Sequence, residues 1–234
     1  MNAAAAIERG GSPALVWRDL LPEVRGRLAF DAPLAPLTWF KVGGPADVLF
    51  QPADEADLVR VLAALDPAVP ITVLGYGSNV IVRDGGIAGL VVRLPKSFAR
   101  IEIHHCRIIA GAAAGDVLLA NTAAEAGIAG FEFLRGIPGT IGGAVRSNAG
   151  AFGGELSDVV RRIRIHDRAQ GSSRWVAAEE FAFGYRKSAI PREWVVLALE
   201  MEGRPDSREK IARRMEALIA ERERSQPLRT RTGG

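Results

Sequence analysis

The segment from Gly136 to Glu155 constrains the fold more than any other part of this sequence. It reads GIPGTIGGAVRSNAGAFGGE, with seven glycines in 20 residues. Because each glycine costs a helix or strand interior roughly 0.5–1 kcal/mol relative to alanine, long regular elements are excluded here. A flexible linker would have a similar glycine content but would lack Ile, Val and Phe. We therefore expect an ordered wall whose backbone comes close to a flat ligand.

A second glycine-rich segment, GYGSN at residues 75–79, directly follows a predicted buried strand at 71–74. Its glycines allow backbone N–H groups to converge on an anion, and Ser78 and Asn79 add a hydroxyl and an amide. A pyrophosphate is the ligand this pattern predicts, and an ordinary turn between strands is the alternative. The sequence has no G-x-G-x-x-G opening a helix, which excludes the Rossmann fingerprint. Two such segments far apart in sequence favour a ligand held between two subdomains.

Composition excludes several other classes of protein. With 234 residues, 48% of them hydrophobic and 24% charged, the chain is neither disordered nor fibrous. No apolar run approaches the roughly 20 residues of a membrane-spanning helix. A net charge of +3 is too small to indicate nucleic-acid binding. The single cysteine and the absence of a secretory signal predict a cytoplasmic protein with neither membrane nor nucleic acid as partner.

Hydrophobic periodicity predicts a mixed α and β chain in two parts. The first part has a helix at 15–29, a loop at 31–45, strands at 47–50, 71–74, 80–82 and 90–94, and a helix capped by Asp54. The second part has a hairpin of strands 101–103 and 108–110, a helix at 116–126 capped by Asp116, strands at 159–166, 174–177 and 194–202, and a helix at 207–224 capped by Ser207. We expect a disordered tail at 1–16, a first part that ends near residue 95 and a second part that follows it.

The histidines and the cysteine are not assigned to a site. His104 and His105 lie in the predicted hairpin turn without two further ligands at suitable spacing, so no metal site is predicted. His166 is expected on the surface of a strand. Cys106 is expected to be an unreactive thiol, since no catalytic motif surrounds it.

Five segments of the chain together resemble the UDP-N-acetylenolpyruvoylglucosamine reductases, a family of flavoenzymes. These are residues 38–46, 74–79 with 83–86, 131–155, 183–188 and 223–228. The resemblance implies an α+β fold of the vanillyl-alcohol-oxidase type, with two FAD-binding subdomains at 17–95 and 96–204 and a substrate domain that begins at 205–234 and is largely missing. It also implies a monomeric, cytoplasmic enzyme of peptidoglycan precursor synthesis.

The resemblance assigns roles to individual residues. Those implied to bind FAD are Gly75, Tyr76, Gly77, Ser78, Asn79, Gly136, Ile137, Pro138, Gly139, Thr140, Gly143, Asn148, Ala149, Gly150 and Ala151. Arg186 matches the family's catalytic arginine. Tyr185 and Lys187 are implied to contact the substrate, with packing as the alternative role for Tyr185. No metal is implied.

The reaction that the resemblance implies carries a hydride from NADPH to FAD and on to C3 of the enolpyruvyl group of a UDP-sugar. Protonation at C2 then gives UDP-N-acetylmuramate. Hydride addition builds negative charge toward the enolpyruvyl carboxylate, which a guanidinium can bind through two parallel hydrogen bonds.

The family's pattern continues beyond the Thr-Gly-Gly of residues 232–234 with a proton-donating serine, a later glutamate and a third domain. We therefore expect either a fragment with impaired activity or a non-catalytic, flavin-binding remnant. Another oxidase of the same flavin fold is disfavoured, because the matching loops contain no His that could be attached to the flavin.

Overall fold

The computed structural model describes residues 13–226, with side chains from Trp17 onward. Within this range the chain forms two compact units: unit 1 extends to Ser97 and includes 166–173 and 193–195, and unit 2 contains 98–165, 174–192 and the residues from Val196. Residues 1–12 of the tail expected at 1–16 lie outside the described residues. Its remaining residues belong to a helix that begins at Pro13. Residues 227–234 of the expected substrate domain also lie outside the described residues.

Unit 1 is built on a four-stranded mixed sheet. Its elements are α1 (Pro13–Leu20), β1 (Arg27–Pro33), β2 (Pro45–Gln51), α2 (Glu55–Ala64), β3 (Ile71–Val73) and β4 (Ile87–Val92). The strand order is β1-β2-β4-β3, with β1 antiparallel to β2, and β2 and β3 both parallel to β4. Ala46, Val48 and Phe50 of β2 are fully buried, as expected of alternate residues on the core face of a strand. Asp54 caps α2 as predicted by accepting a hydrogen bond from the Asp57 amide at 3.0 Å.

Two expectations for the secondary structure of unit 1 are wrong. The helix predicted at 15–29 ends at Leu20, and β1 occupies part of the predicted helix and part of the predicted loop. Pro22 explains the early end, because a proline disrupts the continuing helical hydrogen bonds. Residues 80–82 form no strand. They are apolar because Val82 packs with Leu34 and Leu74 in a hydrophobic core, and this packing does not require a strand.

Unit 2 contains most of a five-stranded sheet whose strands are, in order, β11 (Ser172–Ala177), β10 (Val160–Asp167), β12 (Trp194–Glu202), β6 (Arg107–Gly111) and β5 (Ile101–His104). Strands β5 and β6 are antiparallel, as are β6 and β12. The elements are β5 (Ile101–His104), β6 (Arg107–Gly111), α3 (Asp116–Glu125), β7 (Ile128–Ala129), α4 (Ile141–Arg146), β8 (Gly150–Ala151), β9 (Gly154–Glu155), α5 (Leu156–Val159), β10 (Val160–Asp167), β11 (Ser172–Ala177), β12 (Trp194–Glu202), β13 (Arg204–Pro205) and α6 (Arg208–Ser225). The predicted hairpin, the three later strands and the last helix are confirmed, and the mixed content of helices and strands confirms the α+β class.

The expectation that His166 lies on the surface of a strand is wrong. His166 is 1% exposed rather than on a strand surface, and its Nδ1 lies 3.1 Å from the Ser173 hydroxyl. Burial lowers the pKa of His166, so the ring is neutral at physiological pH. Cys106 is a free, half-buried thiol, and its lack of reactivity stays a prediction.

Residues 13–226 contain no group of three or more His, Cys, Asp or Glu side chains placed to hold a metal ion. In the same part of the chain, no helix combines the length and apolar character needed to cross a membrane.

Candidate functional site

The GYGSN loop of unit 1 presents a row of unused hydrogen-bond donors. The amide of Leu74 still bonds the Val92 carbonyl at 2.8 Å, which anchors the start of the loop at the end of β3. Among the described residues, none of the backbone N–H groups of 75–79 donates a hydrogen bond, and the side chains of Ser78 and Asn79 have no partner. Successive free N–H groups of this kind form a concave site for an anion. The backbone N–H groups of the predicted phosphate-binding residues therefore make no hydrogen bond to other groups in the described part of the chain.

Large apolar side chains lie beside these donors and remain exposed. Tyr76 in the loop is 55% exposed and Ile81 just after it is 70% exposed. Trp39, whose amide donates to the Gly77 carbonyl at 2.9 Å, is 42% exposed. Exposed apolar residues that cluster near unpaired polar groups are typical of a binding surface. This part of unit 1 suits a ligand that carries both phosphates and ring systems.

Gly77 is the residue on which the shape of the loop depends. Its φ of +65° lies in the left-handed region, and a Cβ at this position would stand 2.2 Å from the carbonyl oxygen of Leu37. We expect Gly77→Ala to lower the free energy of unfolding of unit 1 by on the order of 2 kcal/mol, because both the backbone conformation and the contact oppose a side chain. Urea denaturation measures this change.

Gly85 provides the matched control for this prediction. A Cβ at Gly85 would meet nothing within 4 Å, so Gly85→Ala should change stability by no more than about 0.5 kcal/mol. Equal losses in the two variants would show that the packing at Gly77 does not determine the effect.

In unit 2 the glycine-rich stretch is ordered, as predicted, and not a linker. The amide of Gly142 donates to the Ala112 carbonyl at 2.9 Å, and a Cβ at Gly142 would stand 2.8 Å from that of Ala112. Helix α4 therefore packs directly against the chain at residue 112. Just before it, the N–H groups of Gly139 and Thr140 donate no hydrogen bond within residues 13–226.

The predicted cofactor-binding residues of unit 2 differ in their exposure. Pro138 and Gly143 are exposed; Gly136, Ile137, Gly139, Gly150 and Ala151 are half-buried; Thr140, Asn148 and Ala149 are buried. The exposed and half-buried positions are accessible to a ligand. Asn148 is 1% exposed, and its side chain is hydrogen-bonded within the protein at both ends of the amide.

The predicted catalytic and substrate-binding residues occupy one tight turn. Gly184 and Lys187 exchange two backbone hydrogen bonds of 3.1 Å, which places Tyr185 and Arg186 at the tip. Arg186 has a φ of +57°, at a turn position where glycine or asparagine is usual. Its guanidinium lies 5.7 Å from the centre of the Tyr185 ring, and Tyr185 is 86% exposed. The turn thus presents a cation and an aromatic ring to solvent.

Glu155, to which the sequence motifs assign no role, lies in the field of this cation. Hydrogen bonds from the Ser157 hydroxyl and from Asn148, together with the positive charge of Arg186, hold the pKa of Glu155 below its ordinary value. Its carboxylate is therefore charged at neutral pH and attracts the guanidinium. Its place at the end of the glycine-rich motif was the available sequence signal, but nothing in the pattern related it to Arg186.

Asp116, like His166, does not occupy its predicted place. It was expected to cap α3, but the cap position is Gly115 and the carboxyl group makes no capping hydrogen bond. Asp116 is 1% exposed, and neither carboxyl oxygen has a hydrogen-bond partner among the described residues. Burial raises the pKa of Asp116 to about 8, so at pH 7 the group is mainly protonated. Its amide bonds the Gly139 carbonyl at 3.1 Å, which places it directly beside the glycine-rich stretch.

Unit 2 also contains a cavity of about 660 Å³ that is separate from the predicted residues. Its wall includes Phe152, Val159, Leu218 and the ion pair between Arg161 and Glu202. None of the residues assigned to cofactor or substrate lines it.

Comparison with known proteins gives matches that extend over both units. A family model described as "FAD binding domain" matches residues 46–177. A UDP-N-acetylenolpyruvoylglucosamine reductase from Paramagnetospirillum magneticum is 53% identical over 218 residues, which cover 93% of this chain and 71% of the relative. The enzyme of that name from Caulobacter vibrioides is 50% identical over 223 residues, covering 94% and 74%. The crystal structure of UDP-N-acetylenolpyruvylglucosamine reductase from Thermus caldophilus is similar with a TM-score of 0.76 and 33% identity, covering 88% of this chain and 72% of that one.

Proposed function

Because this chain belongs to the UDP-N-acetylenolpyruvoylglucosamine reductase family and contains an FAD-binding domain, we propose that it uses FAD and NADPH to reduce UDP-N-acetylglucosamine enolpyruvate. The product is UDP-N-acetylmuramate, a precursor of peptidoglycan. The observation that carries the proposal is the row of unpaired N–H donors at residues 75–79. A dinucleotide pyrophosphate is an anion of the size and charge that such a row can bind.

The residues present fit FAD in both units. In unit 1, Gly75, Tyr76, Gly77, Ser78 and Asn79 would bind the pyrophosphate. In unit 2, a Cβ built on Gly143 would have only the Thr140 hydroxyl oxygen nearby, at 3.6 Å, so backbone there can be approached closely. Residues 136–140, Gly143 and 149–151 would lie along the flavin ring and the ribityl chain. FAD, when bound, supplies the hydride-transfer chemistry that no amino-acid side chain can perform.

Arg186 is the residue that we assign to the chemistry of the substrate. Addition of a hydride at C3 of an enolpyruvyl group increases the negative charge on the adjoining carboxylate. A guanidinium that is always charged and forms two parallel hydrogen bonds stabilises this charge more in the transition state than in the ground state. Tyr185 and Lys187, on the same turn, would contact the remainder of the UDP-sugar.

The test uses the purified chain in an anaerobic cuvette. We expect a flavin absorbance spectrum, bleaching of that spectrum by NADPH, and its return when UDP-N-acetylglucosamine enolpyruvate is added. NADH serves as the control reductant, and UDP-N-acetylglucosamine, which has no enolpyruvyl group, as the control substrate.

Three results would each contradict a different part of the proposal. A colourless protein that does not bind added FAD contradicts the cofactor assignment. A yellow protein that NADPH does not bleach contradicts the reductant. A bleached protein that the substrate does not reoxidise indicates a chain that binds FAD but does not complete the reaction.

A further inference from the structure

We propose that Asn148 is a positioning residue that fixes the Arg186 turn against the end of helix α4. The inference rests on the proposed function for the role of Arg186, but the tie between Asn148 and the turn stands on geometry alone. It gives Asn148 a role within the protein that differs from the cofactor contact implied by the family resemblance.

The amide nitrogen of Asn148 contacts the base of the turn. Its Nδ2 donates to the Gly184 carbonyl oxygen at 3.2 Å, and the same oxygen accepts the Lys187 amide at 3.1 Å. The side chain therefore bonds to an atom that also closes the turn. A displacement of residue 184 would break both hydrogen bonds together.

The amide oxygen of Asn148 is attached to a different element. Its Oδ1 accepts a hydrogen bond of 2.9 Å from the backbone N–H of Ser157 in the first turn of α5. The residue is 1% exposed and has a φ of +42°, a conformation that asparagine adopts more readily than most other residues. Because both ends of the amide are bonded and the site is buried, the side chain has one fixed orientation.

The chain beyond the turn is held by a neighbour of Asn148. The Ser188 hydroxyl donates to the Arg146 carbonyl at 3.0 Å, and the Arg146 guanidinium donates to the carbonyl oxygens of Ile190 and Pro191 at 3.2 and 2.9 Å. The two sides of the turn are thus attached to residues 148 and 146 respectively. Arg146 is the last residue of α4 and Asn148 lies two residues beyond it, and α4 begins at the proposed flavin-binding segment. This arrangement fixes Arg186 relative to that segment.

The tip of the turn depends on these hydrogen bonds, because little else holds it in place. Arg186 is exposed and in a left-handed backbone conformation, which costs a residue with a Cβ roughly 1–2 kcal/mol. Surrounding structure has to maintain such a conformation. The Glu155 carboxylate, bonded at 2.6 Å by the Ser157 hydroxyl, also attracts the guanidinium. Asn148 therefore holds the backbone of the turn, and Glu155 attracts the guanidinium group of Arg186.

The experiment compares Asn148→Asp with wild type and with Ser147→Ala. Asp keeps an acceptor for the Ser157 amide and tolerates a positive φ, but it removes the donor to the Gly184 carbonyl and to the Glu155 carboxylate. Ser147→Ala is the matched control, since within the described residues the Ser147 hydroxyl bonds only the Gly143 and Ala144 carbonyls of α4, the helix that it follows. Asn148→Gly, which accepts a positive φ without strain, is the second variant in case the Asp variant does not fold.

Hydrogen exchange of the purified proteins gives the first readout. We expect exchange of the peptide covering 184–187 to rise roughly tenfold in both Asn148 variants, with β10 and β12 unchanged and with no change in Ser147→Ala. Unchanged exchange at 184–187, or an equal rise throughout unit 2, would overturn the proposal. This readout does not depend on activity, so it separates failure of the inference from failure of the proposed function.

A double-mutant cycle gives the second readout, the rate at which substrate reoxidises the reduced flavin. If Asn148 acts through Arg186, Asn148→Asp slows this step roughly tenfold in wild type and hardly at all in an Arg186→Ala background, with flavin content unchanged. A structural role predicts the same fold loss in both backgrounds, and that result would overturn the assignment of Asn148 as a positioning residue.

Discussion

Replacing Asp116 with asparagine should remove a large pH dependence from the stability of unit 2. The pKa of Asp116 is raised by burial from 3.8 to about 8, so the folded state holds the proton more tightly than the unfolded chain does. The stabilisation from this proton is fully present below pH 3.8, decreases as the pH rises, and is lost above about pH 8. At roughly 1.4 kcal/mol per pH unit, wild type should lose about 4 kcal/mol relative to Asp116→Asn between pH 5 and pH 8.

Urea denaturation at several pH values tests this expectation. The quantity of interest is the difference in unfolding free energy between wild type and Asp116→Asn at each pH, because contributions common to both proteins cancel. Asp84→Asn removes an exposed carboxylate and serves as the control, with a curve parallel to that of wild type. If wild type and Asp116→Asn also gave parallel curves, Asp116 would be ionised in the folded protein over this pH range, which would contradict the raised pKa.

Arg186→Ala should slow reoxidation of the reduced flavin by substrate by about 10²–10³-fold. This is the usual effect of removing one strong donor from a developing anion. Alanine retains a Cβ, so the strain of the left-handed residue is the same in both proteins. Reduction by NADPH should proceed at the wild-type rate, because the enolpyruvyl carboxylate is absent from that step. Stopped-flow absorbance resolves the two half-reactions.

Arg192→Ala is the matched control for this experiment. Arg192 is another exposed arginine of unit 2, six residues further along the chain, and its removal should leave both half-reactions unchanged. Arg186→Lys should recover part of the rate, since a lysine restores the charge but not the two parallel hydrogen bonds. Equal losses in Arg186→Ala and Arg192→Ala would mean that Arg186 contributes only to net charge.

Local sequence rules predicted the elements whose signals are local. The helix after Asp54, the hairpin around residue 105 and strand β12 each have a cap, a turn or a continuous apolar run. Strand β1 was missed because its residues carry weak β signals and it forms through pairing with β2, from Arg27 with Gln51 to Pro33 with Pro45. Such pairing depends on a partner elsewhere in the chain, so periodicity within one segment does not indicate it.

The same distinction applies to the candidate site. The glycine motifs and the Tyr-Arg-Lys turn can be found from the sequence, because their backbone requirements leave a compositional trace. The burial of Asp116 cannot be found in this way. The hydrogen bonds between Asn148 and its partners Gly184 and Ser157 cannot either, since these partners lie 36 and 9 positions away in the sequence. Both features depend on tertiary packing, which local sequence patterns do not indicate.

Because the chain is synthesised from its amino terminus, the composition of unit 1 determines when that unit can be completed. This unit is interrupted after Ser97 and includes residues 193–195, almost 100 positions later. A ribosome that adds about 5–20 residues per second needs on the order of 5–20 seconds to cover that distance. During this interval the amino-terminal strands have been synthesised, but the last residues of their unit have not. Unit 1 therefore begins to emerge first but is completed only when residues 193–195 have been added. A nascent chain arrested before residue 193 should contain a unit 1 that lacks these residues.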